Sequence, residues 1–203
     1  YYKDIGMMEN VYATEWSWSS FFLDANNDGF KDLFVSNGIL RDMTNMDFVK
    51  DNVGENYTDM GNPEVKSKMN PLRAPSTKTS NYIYQNVQGH FVDRSTDWNL
   101  HHKEHVRGAT YADLDRDGDL DLVLTRIDDT PLIYKNKTDQ LDRNYIQFRL
   151  KGPHKNTFGI GASIHLYIGN EIQHNYISTQ RGFQSSPEPF VHFGLGTEEA
   201  MDS

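Results

Sequence analysis

The sequence predicts an all-β protein built from cation-binding hairpins, and two observations lead there. The stretch Asp24, Asn26, Asp28, Gly29, Asp32 returns almost letter for letter as Asp113, Asp115, Asp117, Gly118, Asp121. Each copy also lies between short apolar, aromatic and β-branched runs, residues 18–23 and 33–36 around the first and 109–112 and 120–125 around the second. Runs of that length and composition read as strands. The unit is therefore strand, acidic loop, strand.

The acidic spacing specifies the ion. Ca²⁺ takes six to eight hard oxygens, and carboxylates at positions 1, 3 and 5 of a tightly curled loop can converge on one cation. Glycine at position 6 allows the sharp reversal. The carbonyl at position 7, Phe30 or Asp119, and the carboxylate at position 9, Asp32 or Asp121, would complete each shell. Five specified positions match a random stretch with a probability on the order of 10⁻⁶. A helix–loop–helix calcium hand needs a bidentate Glu at position 12, where this chain has Val35 and Leu124. Merely acidic turns rich in Asp, Asn and Gly do not require the Asp at position 9. The expectation is two Ca²⁺ sites.

A further repeat follows each loop. Asn81-Tyr-Ile-Tyr-Gln-Asn86 and then Gly89-His-Phe-Val-Asp93 come after the first, and Pro131-Leu-Ile-Tyr-Lys-Asn136 after the second. The shared Ile-Tyr-x-Asn core adds an outer strand to each hairpin. A sheet that small cannot bury its faces alone, and such units stack radially as propeller blades. The loops start at Asp24 and Asp113, a separation well above the roughly 40–50 residues of common blades. The excess is an insertion over about 38–80, with Pro63, Pro71 and Pro75, basic residues Lys66, Lys68, Arg73 and Lys78, and Tyr57. Met43, Met46, Phe48 and Val49 can line one face of a short helix there. Long insertions are commonly functional or disordered; this one is expected to be partly ordered and to carry partner specificity.

Composition excludes several functions. The 203 residues are 36% hydrophobic and 12% aromatic, enough for packed cores, and the formal charge is −9. Phosphate binding needs clustered Lys and Arg, so an acidic chain without a basic patch argues against nucleic acid. No run approaches the roughly 18 apolar residues of a membrane span. There is no cysteine, so disulfides and zinc–thiolate sites are out. Weak calcium loops suit the calcium-rich exterior. The sequence opens at Tyr1 and reads as a fragment whose targeting segment lies upstream.

With those motifs in view, residues 16–37 and 108–125 resemble FG-GAP repeats of the VCBS type, the blades of integrin-α-like propellers. From Asn144 the chain is similar to the ASPIC/UnbV domain that follows such blades in the cartilage acidic protein family and its bacterial relatives. The residues carrying this are Asn144, Leu150, Lys151, Gly152, Asn156, Gly159-Ile-Gly-Ala162, Arg181, Gly182, Phe183, Ser185 and His192-Phe-Gly-Leu-Gly196. The resemblance implies blades over 1–140 and an ASPIC/UnbV-type domain over 144–203. About two blades are present, too few for a ring. The family's closing Trp-Pro-x-Gly turn does not occur. Independently of the family, residues 145–150, 163–168 and 190–193 have strand patterns punctuated by Gly and Pro. Gly159 and Gly161 suit close backbone packing or a bulge better than a phosphate loop, which would need a third glycine and a following helix.

Catalytic constellations are weak. His101, His102, Glu104 and His105 are the densest titratable cluster, and a helix would bring His101 and His105 together for a transition metal; an exposed loop is the plainer reading. No nucleophile motif accompanies them. Trp16 and Trp18 are expected to pack between blades, with carbohydrate stacking by them or Trp98 as the lesser reading. The sequence thus predicts a non-catalytic, calcium-binding recognition or adhesion scaffold. It would be secreted or on the surface or in the periplasm of a bacterium, engaging a protein or glycan ligand and belonging to a larger assembly. The competing expectation is a polysaccharide-binding or lyase-like propeller accessory to glycan degradation, which a basic residue and a stacking aromatic converging in one cleft would favour. Chelation is expected to lower the melting temperature of the blades beyond that of the C-terminal domain.

Overall fold

The structure, a computed structural model, describes residues 3–53, 63 and 70–202. Lys66, Lys68 and Tyr57 of the insertion lie outside them. The first acidic loop joins β1 (Ser17–Leu23) to β2 (Asp32–Asn37), and β4 (Tyr82–Val87) and β5 (His90–Asp93) extend that pair into a four-stranded antiparallel sheet in the order β1-β2-β4-β5. The second loop joins β7 (Val106–Ala112) to β8 (Asp121–Arg126), which β9 (Leu132–Tyr134) extends to three strands. Strand rules account for both: β1 alternates between a buried and a more open face, whereas β2, flanked by strands on both sides, is buried almost throughout.

The two sheets repeat in register as well as sequence. Leu23 faces Asp32 where each hairpin closes in the first, and Ala112 faces Asp121 in the second. Tyr84 pairs with Leu33, and Tyr134 pairs with Leu122. Both first strands carry a register shift, between Ser17 and Ser20 and between Val106 and Ala109. The fourth strand is the point of divergence, because after β9 the chain turns through a 3-10 segment at Thr138–Leu141 toward the C-terminal unit. Among the described residues no sheet closes on itself; the architecture is all-β with open sheets.

Between the sheets lies one apolar core: Phe21, Leu23, Phe34 and Ile83 from the first meet Val106, Ala109, Leu120, Leu122 and Leu124 from the second, with Leu100 from the connection. Polar seams flank it. The Ser19 hydroxyl donates to the Arg107 carbonyl at 2.8 Å and accepts from the amides of Ala109 at 3.1 Å and Phe183 at 2.8 Å. The C-terminal unit pairs β10 (Asn144–Phe148) with β13 (Val191–Gly196) and β11 (Ser163–Ile168) with β12 (Glu171–Tyr176). Leu166, Ile177, Val191 and Phe193 form its own core. In its first turn Gly159 and Gly161 both have positive φ, and Ala162 N–H donates to the Gly159 carbonyl; a Cβ at Gly159 would meet the Leu150 side chain and one at Gly161 nothing within 4 Å, so the turn conformation rather than close backbone packing accounts for Gly161.

The insertion is anchored to the sheets. Ile39 bridges Thr77, the helix α1 (Met46–Val53) buries Phe48 and Val49, and β3 (Thr79–Ser80) pairs with β6 (Lys103–Glu104). Met43 precedes that helix and Met46 is exposed, so only half of the expected apolar face is used. The strand through Lys103 rules out the helical face that would join His101 to His105. His105 is instead buried, its Nε2 2.8 Å from Ser76 Oγ, and desolvation lowers its pKa. Trp18 packs on Phe183, with ring centroids 4.9 Å apart, and donates from Nε1 to the Gly38 carbonyl at 2.6 Å. Trp16, expected between blades, is exposed because it precedes the first strand pairing with β2.

Candidate metal centre

Each loop begins from the same wiring. The position-9 carboxylate of the first, Asp32, accepts from Ala25 N–H at 3.0 Å and Asn86 N–H at 2.8 Å. That of the second, Asp121, accepts from Leu114 N–H at 3.2 Å and Asn136 N–H at 2.8 Å. Asn86 and Asn136 are the asparagines of the repeated Ile-Tyr-x-Asn, and their side chains donate to the carbonyls of Lys31 and Leu120, both at 3.2 Å. That repeat is thus a latch from the third strand onto the loop. At position 5, Asp28 accepts from Phe30 N–H at 2.9 Å and Asp117 from Asp119 N–H at 3.0 Å. Gly29 and Gly118 at position 6 have φ of +90° and +93°, where a side chain is strained.

Around the first loop the protein closes in. Asp24 is buried; its two oxygens accept from Asp28 N–H at 3.1 Å and Gly29 N–H at 2.8 Å. Burial, reinforced by the charge of Asp28, raises its pKa to about 7. Burial likewise raises Asp32 to about 8, against the two amide bonds that favour the ionised form. Asn26 is buried too, its amide donating to Asp28 at 2.9 Å, and Arg143 donates to the Asn26 carbonyl at 2.8 Å and sits 3.5 Å from Asp28.

In the second loop Asp113, Asp115 and Asp117 present oxygens that all lie within 4.8 Å of one another. The Lys135 ammonium bonds Asp115 and stands 3.4 Å from Asp117 Oδ2. That contact lowers the Asp115 pKa and pushes Lys135 up to about 12. Burial raises Asp121, and the charges of Asp115 and Asp117 add to the rise. Asp113 Oδ1 and Asp117 Oδ2 are buried and receive no hydrogen bond among the described residues. Buried anionic oxygens without donors are costly, and a hard divalent cation satisfies all three carboxylates at once. The donor set of all-oxygen ligands fits such an ion.

The C-terminal unit covers both loops. Gln147 Nε2 donates to Asp113 Oδ2 at 2.9 Å. Gly194 lies so close to the first loop that a Cβ there would fall 2.2 Å from Asp24 Oδ2. Residues 152–203 match the family model described as ASPIC and UnbV. No curated protein matches the chain. The ASPIC/UnbV-like region therefore supplies β13, which rests directly on the first loop, while β10, just ahead of the matched residues, reaches the second.

Several site residues escape a sequence reading. At position 4 both loops are left-handed, Asn27 with φ 55° and Arg116 with φ 64°. Asn27 is buried and bridges everything: Nδ2 donates to Asp119 Oδ1 at 3.0 Å and Gly118 O at 3.3 Å, and its Oδ1 accepts from His192 Nε2 at 2.7 Å. Desolvation holds His192 near pKa 4, so the ring is neutral and Nε2 carries its proton. An Asn at position 4 is itself a signal, being tolerant of left-handed backbone. Lys135, Arg143 and Gln147 leave no such trace, and Gly194 is marked only as part of the stretch that carries the ASPIC/UnbV resemblance.

Proposed function

We propose that this chain is a calcium-binding, non-catalytic scaffold of FG-GAP/VCBS character, acting in recognition or adhesion at the surface or in the periplasm of a bacterium. The observation that supports it most is the second loop, where three clustered carboxylates include, among the described residues, Asp113 Oδ1, a buried oxygen without a donor, and Asp117 Oδ2, whose only cationic neighbour is Lys135 at 3.4 Å. The first loop shares its latch and its position-5 wiring, which extends the reading to Asp24, Asn26, Asp28, Asp32 and the Phe30 carbonyl. Asp113, Asp115, Asp117, Asp121 and the Asp119 carbonyl form the second set. Calcium offsets aspartate repulsion, and its binding free energy becomes folding free energy. The rigid sheets then present loops and the insertion to a protein or glycan partner. No helix among the described residues is long and apolar enough to cross a membrane. Calorimetric titration into chelator-treated protein should give two stoichiometric Ca²⁺ events, of which Asp28→Ala removes one and Asp117→Ala the other. Retention of both events in either variant overturns the assignment.

A second reading has an observation of its own. A cavity of about 590 Å³ opens beside the inter-sheet core, with Trp98 and Tyr134 next to Arg94, Lys137 and Arg143. Aromatics and cations converging in one cleft suit an acidic saccharide, which stacks its apolar face on an aromatic ring. Oligogalacturonate titrated against intrinsic fluorescence, with Trp98→Ala as the control, checks it; an unchanged signal removes this reading.

A further inference from the structure

We infer that β10 and β13 of the C-terminal unit are part of the cation sites, holding the position-1 aspartate of each loop in its ligating orientation through Gln147 and Gly194; this rests on the calcium reading above. Tyr145 faces Gly194, and Gln147 faces His192, in one antiparallel ribbon. From that ribbon one side chain bonds Asp113 and one stretch of backbone, at Gly194, packs against Asp24. Gln147 Nε2 donates to Asp113 Oδ2, while Asp113 Oδ1 is buried without a donor among the described residues. The Gly194 backbone packs directly against Asp24, where a Cβ would fall 2.2 Å from Oδ2 and 2.5 Å from Asn27 Cα, and the absence of a Cβ is what lets it approach.

Three further contacts make the ribbon a fitted cover rather than a chance neighbour. Tyr145 fills the space over Gly118, where a Cβ would lie 1.8 Å from its ring. The Tyr145 ring stacks on His192, centroids 5.6 Å apart, and His192 in turn bonds Asn27. Gly196 N–H donates to the Asn27 carbonyl at 2.8 Å. Hydrogen bonds to a ligating carboxylate orient it and are typically worth 10–100-fold in metal affinity. Gln147 is thus a positioning residue for the second cation and Gly194 for the first. Linkage makes the effect reciprocal: whatever the seated ribbon adds to calcium affinity, calcium adds to the seating of the ribbon.

The test uses the full chain and two probes, Ca²⁺ by calorimetry and Tb³⁺ by tyrosine-sensitised luminescence, for which Tyr145 over the second loop is a built-in donor. Gln147→Leu removes the donor at similar bulk and should weaken the second site at least about tenfold while the first stays within about twofold, a margin inside ordinary scatter between variants. Gln147→Glu keeps the bulk but replaces the N–H donor by an acceptor, so it should likewise weaken the second site and lower the Tb³⁺ signal at low ion concentration despite its added charge; should the Leu variant not fold, this one decides, and an unchanged or tighter second site overturns the inference. Gly194→Ala should show the converse pattern, weakening the first site. Equal weakening of both sites by Gln147→Leu means loss of docking rather than positioning and overturns the inference, as does an unchanged second site. If the unaltered chain takes up no calcium, the underlying calcium reading fails instead, and the two failures are distinct.

Discussion

The two acidic loops share spacing and latch yet sit in opposite environments. The first is sunk in the protein: Asp24, Asn26, Asn27 and Asp32 are all buried, and its neutral Asn26 stands where the second has Asp115. The second is open at its apex, with Leu114, Asp115 and Arg116 exposed, and it recruits Lys135 as a counter-charge. Position 4 shows the contrast most sharply, since Asn27 is a buried clasp whereas Arg116 projects into solvent from the same left-handed backbone. A motif fixes its local wiring, and the surroundings decide what the motif is for. The first loop is closed off from solvent, whereas the apex of the second is open to it.

That contrast can be broken by substitution. The largest effect is expected at Asp32, where Asp32→Ala strands two part-buried amides and should cost about 2 kcal/mol or more. Asp115→Ala, at an exposed position, should change urea stability in calcium-free buffer far less. Equal losses would mean that the two loops do not differ in kind. Next comes glycine. Gly118→Ala forces a Cβ into the Tyr145 ring, whereas Gly29→Ala meets the flexible end of Gln173 at 2.8 Å. Both incur left-handed strain of order 1–3 kcal/mol, but only Gly118→Ala should also unseat Tyr145, which its near-ultraviolet dichroism would report.

How far the sequence reached is visible in these residues. The aspartate spacing and the Ile-Tyr-x-Asn repeat were legible because both are local patterns. The reason for the asparagine was not, because its side-chain amide meets a carbonyl fifty-five residues away in sequence, Asn86 Nδ2 on Lys31 O. The strands of the C-terminal unit were readable from their alternation, but nothing in that alternation says that Gln147 and Gly194 face the loops. Side-chain direction on a strand is periodic; the partner it meets is set by the whole fold. The half-used helix face and the exposed Trp16 are the same lesson in reverse, apolar residues whose burial depended on neighbours the sequence could not locate.

The covering ribbon also revises the expected response to chelation. From sequence alone the sheets would lose stability and the C-terminal unit would not. With Asp24 and Asp113 both held from β10 and β13, chelator should shift the melting of both regions together, as followed by residue-resolved hydrogen exchange. Protection lost from the sheets alone would sharpen the boundary between them. The smallest effect is expected at Lys135. Lys135→Met removes the internal competitor and should raise calcium affinity at the second loop severalfold in low salt, with the gain fading as ionic strength rises. An equal gain at the first loop would show that the two sites do not differ in this respect.

The hydrogen bond from His192 to Asn27 spans 165 positions of chain, whereas Ala25 to Asp32 spans seven. Ribosomes add about 5–20 residues per second, so roughly 10–30 s separate the making of the first loop from the arrival of its cover. Short closures also form many orders of magnitude faster than that interval. On emergence from export, N-terminus first, into a calcium-rich compartment, the aspartates of the first hairpin would meet before the C-terminal cover reaches them, and a cation would be their earliest stabilising partner. Calcium would then act as a timekeeper in folding, holding a half-finished hairpin in register until the last strand is available to seal it.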